Sequence, residues 1–176
     1  YLAPIKMPQY YQADERWARK RYGLSNMKLT GCVPTALAMA ISGLKENVTP
    51  VQVADYIYSL TMEMNTTFLG TSSLGVQEVV TKWGLNYKVI DSKEELEKTL
   101  KSGTLVYGAV GHGIFVNGYS THAIIMTGYE NGKTKAFDPD NMAKTNKWYN
   151  IDDIWKERSL APEDNMTGGA FIAIYK

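Results

Sequence analysis

Gly31-Cys32-Val33-Pro34-Thr35-Ala36-Leu37-Ala38-Met39-Ala40-Ile41-Ser42-Gly43 is the stretch on which the fold of this chain turns. Val33, Ala36, Leu37, Ala40, Ile41 and Leu44 fall on one stripe at helical spacing, which predicts a helix from about residue 32 to 42 with Gly43 as its stop. Pro34 sits in the first turn, where a missing N–H costs no hydrogen bond, so Cys32 belongs at or just before the helix N-terminus. A thiol is a strong nucleophile only as thiolate, and the unpaired N–H groups and dipole of a helix start favour that anion. A lone Cys is more often a small buried hydrophobe. Position is what singles Cys32 out. As the single cysteine of the chain it also excludes an internal disulfide, which leaves the redox compartment open.

The rest of the composition narrows the field. A length of 176 residues suits a single domain over 1–176, and 44% apolar with 21% charged residues describes a self-sufficient globular fold. Nineteen basic against eighteen acidic residues leave a charge of +1, so no global field recruits a polyanion. With no Lys/Arg stripe, RNP-like motif or zinc-finger spacing, nucleic acid is not an expected partner. No apolar segment is long enough for a membrane span or signal peptide. Because the sequence starts at Tyr1 without an initiator Met, a processed or excised segment is expected.

Residues 1–103 read as helices and loops and residues 104–176 as strands punctuated by glycine, which predicts an α+β chain of two lobes sharing a cleft. Thr49 and Pro50 open a second helix carrying Val53, Ala54 and Ile57. A third precedes Gly84, and a fourth opens at Ser92, with Glu95 completing a capping box, and stops near Gly103. Strands are expected over 85–90, 104–110, 122–129, 133–138 and 170–175. Asn131-Gly132 is a hairpin turn between the third and fourth of these. Simple pairing across it sets Asp138 opposite Ile125, so contact between Asp138 and His122 requires a bulge or a shifted register.

A thiolate needs a base, and the chain has two histidines. His122 starts the apolar run Ala123-Ile124-Ile125-Met126 and would be held by a sheet. His112 lies between Gly111 and Gly113 in a loop that, with Gly118, reads as a mobile lid. Rigid elements favour His122. Asp138, between Phe137 and Pro139, can either orient the imidazole or form an Asp-Pro turn. Zinc sites, P-loops, dinucleotide fingerprints and G-x-S-x-G elbows are all missing from the sequence, leaving Cys/His as the remaining constellation.

Four blocks occur in order: Tyr10-Tyr11-Gln12-Ala13-Asp14 with Trp17, Gly31-Cys32-Val33-Pro34-Thr35, His122-Ala123-Ile124-Ile125-Met126-Thr127-Gly128-Tyr129, and Asp138-Pro139. They resemble the signature blocks of the cysteine peptidases related to bacteriocin-processing (double-glycine leader) peptidases, in a stand-alone branch. The resemblance runs from Tyr10 to the closing strand. It implies a papain-like fold, with Gln12 and Cys32 on a helical lobe and His122 and Asp138 on an antiparallel sheet lobe. It also implies roles: Cys32 as nucleophile, His122 as base, Asp138 as orienter, and Gln12 as oxyanion donor beside the Cys32 backbone N–H. Without it, Gln12 reads as a surface residue.

Val33 stands where the family usually has Gly, which predicts a narrower adjacent subsite and small residues before the scissile bond. The resemblance further implies a peptide or protein substrate, no metal or organic cofactor, and a site of action outside the cytoplasm of a bacterium, secreted or on the cell surface. A monomer is expected. With no transporter segment in the sequence, leader processing is not implied. Two alternatives stay open: acyl transfer or deamidation by the same triad, and a catalytically silent peptide-binding module. The intact set of Cys32, His122, Asp138 and Gln12 argues against the second.

Overall fold

Cys32 heads the central helix, α2 (Cys32–Leu44), of a computed structural model that describes residues 1–60 and 71–176. Every α2 residue from Val33 to Ile41 is buried, so the helix is enclosed on all sides rather than along the single expected stripe. Ahead of it lie β1 (Arg21–Tyr22), β2 (Ser25–Asn26) and the one-turn α1 (Met27–Thr30). It packs on the two helices that follow, α3 (Pro50–Tyr58) and α4 (Ser73–Lys82). The expected stop at Gly43 is passed and α2 ends at Leu44. Gly43 serves a close approach instead: a Cβ there would lie 3.0 Å from Met7 Cβ and 3.1 Å from the Lys6 carbonyl oxygen.

Then come β3 (Asn86–Val89), α5 (Lys93–Lys101), β4 (Leu105–Val110), β5 (His122–Glu130), β6 (Lys133–Phe137), β7 (Lys147–Asn150), α6 (Ile151–Lys156), a 3₁₀ turn (Pro162–Asp164) and β8 (Phe171–Tyr175). The reciprocal capping box forms at α3, between Thr49 and Gln52. At α5 only half of the expected box exists: Ser92 accepts the Glu95 N–H at 3.1 Å, while Glu95 Oε1 is buried without a hydrogen-bond partner.

Six antiparallel strands form the main sheet in the order β3-β8-β4-β5-β6-β7. All six residues of β4 are buried, as a strand covered on both faces requires. β1, β2 and α6 fall on unexpected sides of residue 103, and β3, the strand expected over 85–90, joins the main sheet beside β8, so the helical and strand-rich halves interleave in space. β5 packs against both α2 and α5. Among the described residues no helix is long and apolar enough to cross a membrane.

The β5–β6 hairpin carries the feature that matters for the site. Glu130 faces Lys133 across the turn, but Thr127 faces Lys135 and Ile125 faces Phe137, so β5 holds one extra residue between Thr127 and Glu130. Gly128, at φ +83°, begins this bulge. Side chains alternate faces with period two, so one extra residue carries everything beyond it to the other face. Continued past Phe137, the shifted register sets Asp138 opposite Ile124 instead of Ile125, on the same face as His122 and diagonal to it.

The N-terminal segment pins the bulge. Leu2 exchanges two backbone hydrogen bonds with the bulged Tyr129, at 2.8 and 3.0 Å. The Ile5 N–H donates to Thr127 Oγ1 at 3.0 Å. Between them Pro4 covers Gly128 so closely that a Cβ would lie 2.9 Å from Pro4 Cγ. Gly128→Ala is therefore expected to lose about 1–3 kcal/mol of stability. Gly132→Ala, at a similar φ of +78° with nothing within 4 Å, should lose less. Urea unfolding compares them; equal losses would show that the approach of Pro4 is immaterial.

Candidate active site

Four separate segments deliver Gln12, Cys32, His122 and Asp138. Cys32 is the first residue of α2, with Gly31 as N-cap, so its sulfur lies where the helix has unpaired N–H groups and a positive dipole end. His122 is the first residue of β5, and Asp138 directly follows β6. His122 Nε2 lies 2.6 Å from Asp138 Oδ1, with the two side chains 10% and 0% exposed. With Nε2 engaged, Nδ1 is the ring nitrogen left for Cys32, which lines the same cleft.

The electrostatics of His122 follow from these partners. Burial opposes the imidazolium, but hydrogen bonds to Asp138 and Cys32, and the charges of both, push its pKa from 6.5 up to about 10. The ring thus keeps its proton across neutral pH, the state an imidazolium–thiolate pair requires.

Asp138 makes the turn and holds the ring with one oxygen. Oδ1 also accepts the Asp140 N–H at 2.8 Å and the Asn141 N–H at 3.3 Å, an Asx-type arrangement. Its own N–H donates to Thr145 Oγ1 at 2.9 Å. The two sequence readings of Asp138 therefore describe one geometry.

Gln12 is 4% exposed, which corrects its reading as a surface residue. Nε2 donates to the Lys28 carbonyl at 3.0 Å, and the backbone N–H donates to the Pro139 carbonyl at 2.9 Å. One amide N–H is left to point elsewhere. Trp17, buried, donates from Nε1 to the Tyr11 carbonyl at 2.6 Å and fixes the loop that carries Gln12.

These groups meet in a cleft of about 300 Å³ lined by Gln12, Cys32 and His122 together with Leu29, the loop residues Phe115 to Asn117, and Asp140, Asn141 and Lys144. Ser120 and Thr121 complete it. His112 is outside this lining; it is exposed, and its Nδ1 sits 3.0 Å from the Gly118 carbonyl of its own loop. Val33 is also outside it. Its side chain is buried in the core, so the subsite narrowing expected of it has no basis in its position.

Sequence reading missed the wall residues. The apolar pair Phe115-Val116 inside a glycine-bordered loop was a usable signal, since both are buried. Leu29 and Lys144 carried none, because only the folding of α1 and of the turn before β7 brings them to the cleft.

Residues 4–167 match the family described as the Peptidase_C39 like family. No curated protein matches the sequence. Among solved structures, a Bacillus anthracis protein described as a C39-like peptidase is 16% identical, at a TM-score of 0.68, with 100% of this chain and 98% of that one covered. The peptidase domain of Streptococcus ComA, a bi-functional ABC transporter, is 19% identical at a TM-score of 0.56, covering 82% and 89%. A double-glycine-motif protease from an AMS/PCAT transporter, in complex with its leader peptide, is 17% identical at 0.56, covering 98% and 92%. The shared fold is the helix-plus-antiparallel-sheet, papain-like fold of these peptidases.

Two pH measurements follow from His122. Iodoacetamide should label Cys32 already at about pH 6, where an ordinary thiol is protonated. His122→Ala should remove that acidic reactivity and His112→Ala should keep it; the reverse would make His112 the partner. Because the folded pKa of about 10 lies above the ordinary 6.5, the stabilisation by charged His122 is complete below pH 6.5 and lost as pH rises through 10. The urea midpoint of the wild type should therefore fall more steeply over that window than that of His122→Phe, and parallel curves would contradict the shift.

Proposed function

The chain belongs to the Peptidase_C39 like family, and from that membership we propose that it is a cysteine-type endopeptidase acting through Cys32, His122, Asp138 and Gln12. The observation that carries the reading is the buried His122, hydrogen-bonded to Asp138 and lining one cleft with Gln12 and with Cys32 at the head of α2. In this mechanism the Cys32 thiolate attacks a peptide carbonyl. The oxyanion is met by the remaining Gln12 amide N–H and the Cys32 backbone N–H. Protonated His122 gives its proton to the leaving amine, and the neutral ring then activates water to hydrolyse the acyl-enzyme. Asp138 holds the ring orientation throughout.

The substrate class is peptide or protein, a reading supported by the leader peptide bound to the similar double-glycine-motif protease. The proposal extends to a single catalytic domain over 1–176, acting as a monomer outside the cytoplasm of a bacterium; gel filtration and cell fractionation check the last two. Hydrolysis is distinguished from acyl transfer by product: an added amine should not appear in new amide bonds. Deamidation would be seen as a mass gain on Gln or Asn side chains without chain cleavage.

Mass-spectrometric profiling of a random peptide library tests the central claim, with cleavage expected from the wild type and none from Cys32→Ala. Loss of Cys32 or His122 should each eliminate nearly all turnover, since members of one catalytic unit are not additive. Asp138→Asn should leave more residual rate. Gln12→Ala should lower kcat by about 10²–10³ with KM little changed. A Gln12→Ala enzyme with normal kcat would remove Gln12 from the mechanism.

A further inference from the structure

One wall of the cleft is a loop, residues 111–121, in which no strand or helix holds the backbone. Gly111, Gly113 and Gly118 widen its conformational choice, and the loop's own bonds, Gly113 N–H to the Val116 carbonyl and His112 Nδ1 to the Gly118 carbonyl, are supplemented from outside. Two charged side chains from other segments do this at one residue. Glu157, just past α6, accepts the Ile114 N–H on Oε1 at 2.6 Å, and its carbonyl accepts the Gly111 N–H at 2.7 Å. Lys144, between β6 and β7, donates from Nζ to the Ile114 carbonyl.

Both grips are charge-assisted, the stronger kind of hydrogen bond. Lys144 is itself tied down, its carbonyl accepting the Tyr149 hydroxyl at 2.5 Å, and Tyr149 packs edge-on against Phe115 with ring centres 5.0 Å apart. A Cβ on Gly113 would overlap the Glu157 carboxyl group, so the loop backbone closes directly onto that side chain. Among the described residues, neither Glu157 nor Lys144 enters a salt bridge with another side chain.

We infer that Glu157 and Lys144 are specificity-determining residues: by gripping Ile114 at its N–H and its carbonyl they fix the wall from Phe115 to Asn117 against which a bound peptide lies. They take no part in bond making. The inference rests on the peptidase reading, and it makes Glu157 and Lys144 positioning residues for substrate side chains rather than for the triad. Their loss loosens one wall while leaving Cys32, His122 and Asp138 in contact.

The test compares two kinds of thiol alkylation at Cys32, each forming a C–S bond with loss of halide. Iodoacetamide needs no wall. A panel of peptidyl chloromethyl ketones, varied in the two residues next to the reactive carbon, does. Glu157→Ala, outside the cleft lining, should keep the iodoacetamide rate and its acidic limb within about twofold, while the spread of rates across the panel shrinks about tenfold or more in Glu157→Ala and in Lys144→Met alike. Glu157→Gln, which retains an acceptor oxygen, should recover part of the spread. An unchanged spread in both variants overturns the inference. So does an equal slowing of both reagents, which would trace to the triad or to folding, and so does a wild type that reacts uniformly across the panel. The peptidase reading is decided separately, by library cleavage with wild type and Cys32→Ala.

Discussion

The pairing of β5 with β6 slips by one residue between Thr127 and Glu130, and the chemistry of the cleft depends on that slip. In an unbulged hairpin Asp138 would face the side of the sheet away from His122. The bulge also exposes a cost, because Tyr129 loses its partners on β6. Leu2 supplies them, from the far end of the chain. Pro4 fills the space a side chain at Gly128 would need, and Thr134 Oγ1 donates to the Gly128 carbonyl at 2.8 Å. An irregularity that sheet pairing alone would discourage is thus satisfied by three separate neighbours.

The same N-terminal segment continues to the other side of the site. After the bond from Ile5 to Thr127 it runs on to Gln12, whose N–H reaches the Pro139 carbonyl next to Asp138. Gln12 and the turn that carries Asp138 are therefore joined by backbone. α2 contributes the third fixed point. Enclosed from Val33 to Ile41, it presents Cys32 from a helix with little freedom to tilt. Preorganisation of this sort is what keeps a charged imidazole stable at a buried position, since each partner is in place before the proton is.

The wall loop follows a different logic. Cys32, His122 and Asp138 are held by sheet register and helix packing, whereas residues 111–121 are held by a few polar grips on a glycine-rich backbone. The fold itself is shared with solved structures only 16–19% identical to this chain.

Local rules sufficed for much of this protein. Pro34 and the apolar residues around it are enough to put Cys32 at a helix start, Thr49 caps α3 as its type demands, and Asn131-Gly132 turns β5 back on β6. Each of these depends on neighbours within a few positions, so the sequence alone determined them, together with the candidates Cys32, His122 and Asp138. The side of the sheet on which Asp138 lies, the burial of Gln12, and the shape of the wall at Phe115 were settled only by tertiary structure. Ile5 and Thr127 are 122 positions apart, and Ile114 and Glu157 are 43. Contacts at that separation leave no periodicity or cap in the sequence, because they exist only once the chain has closed on itself.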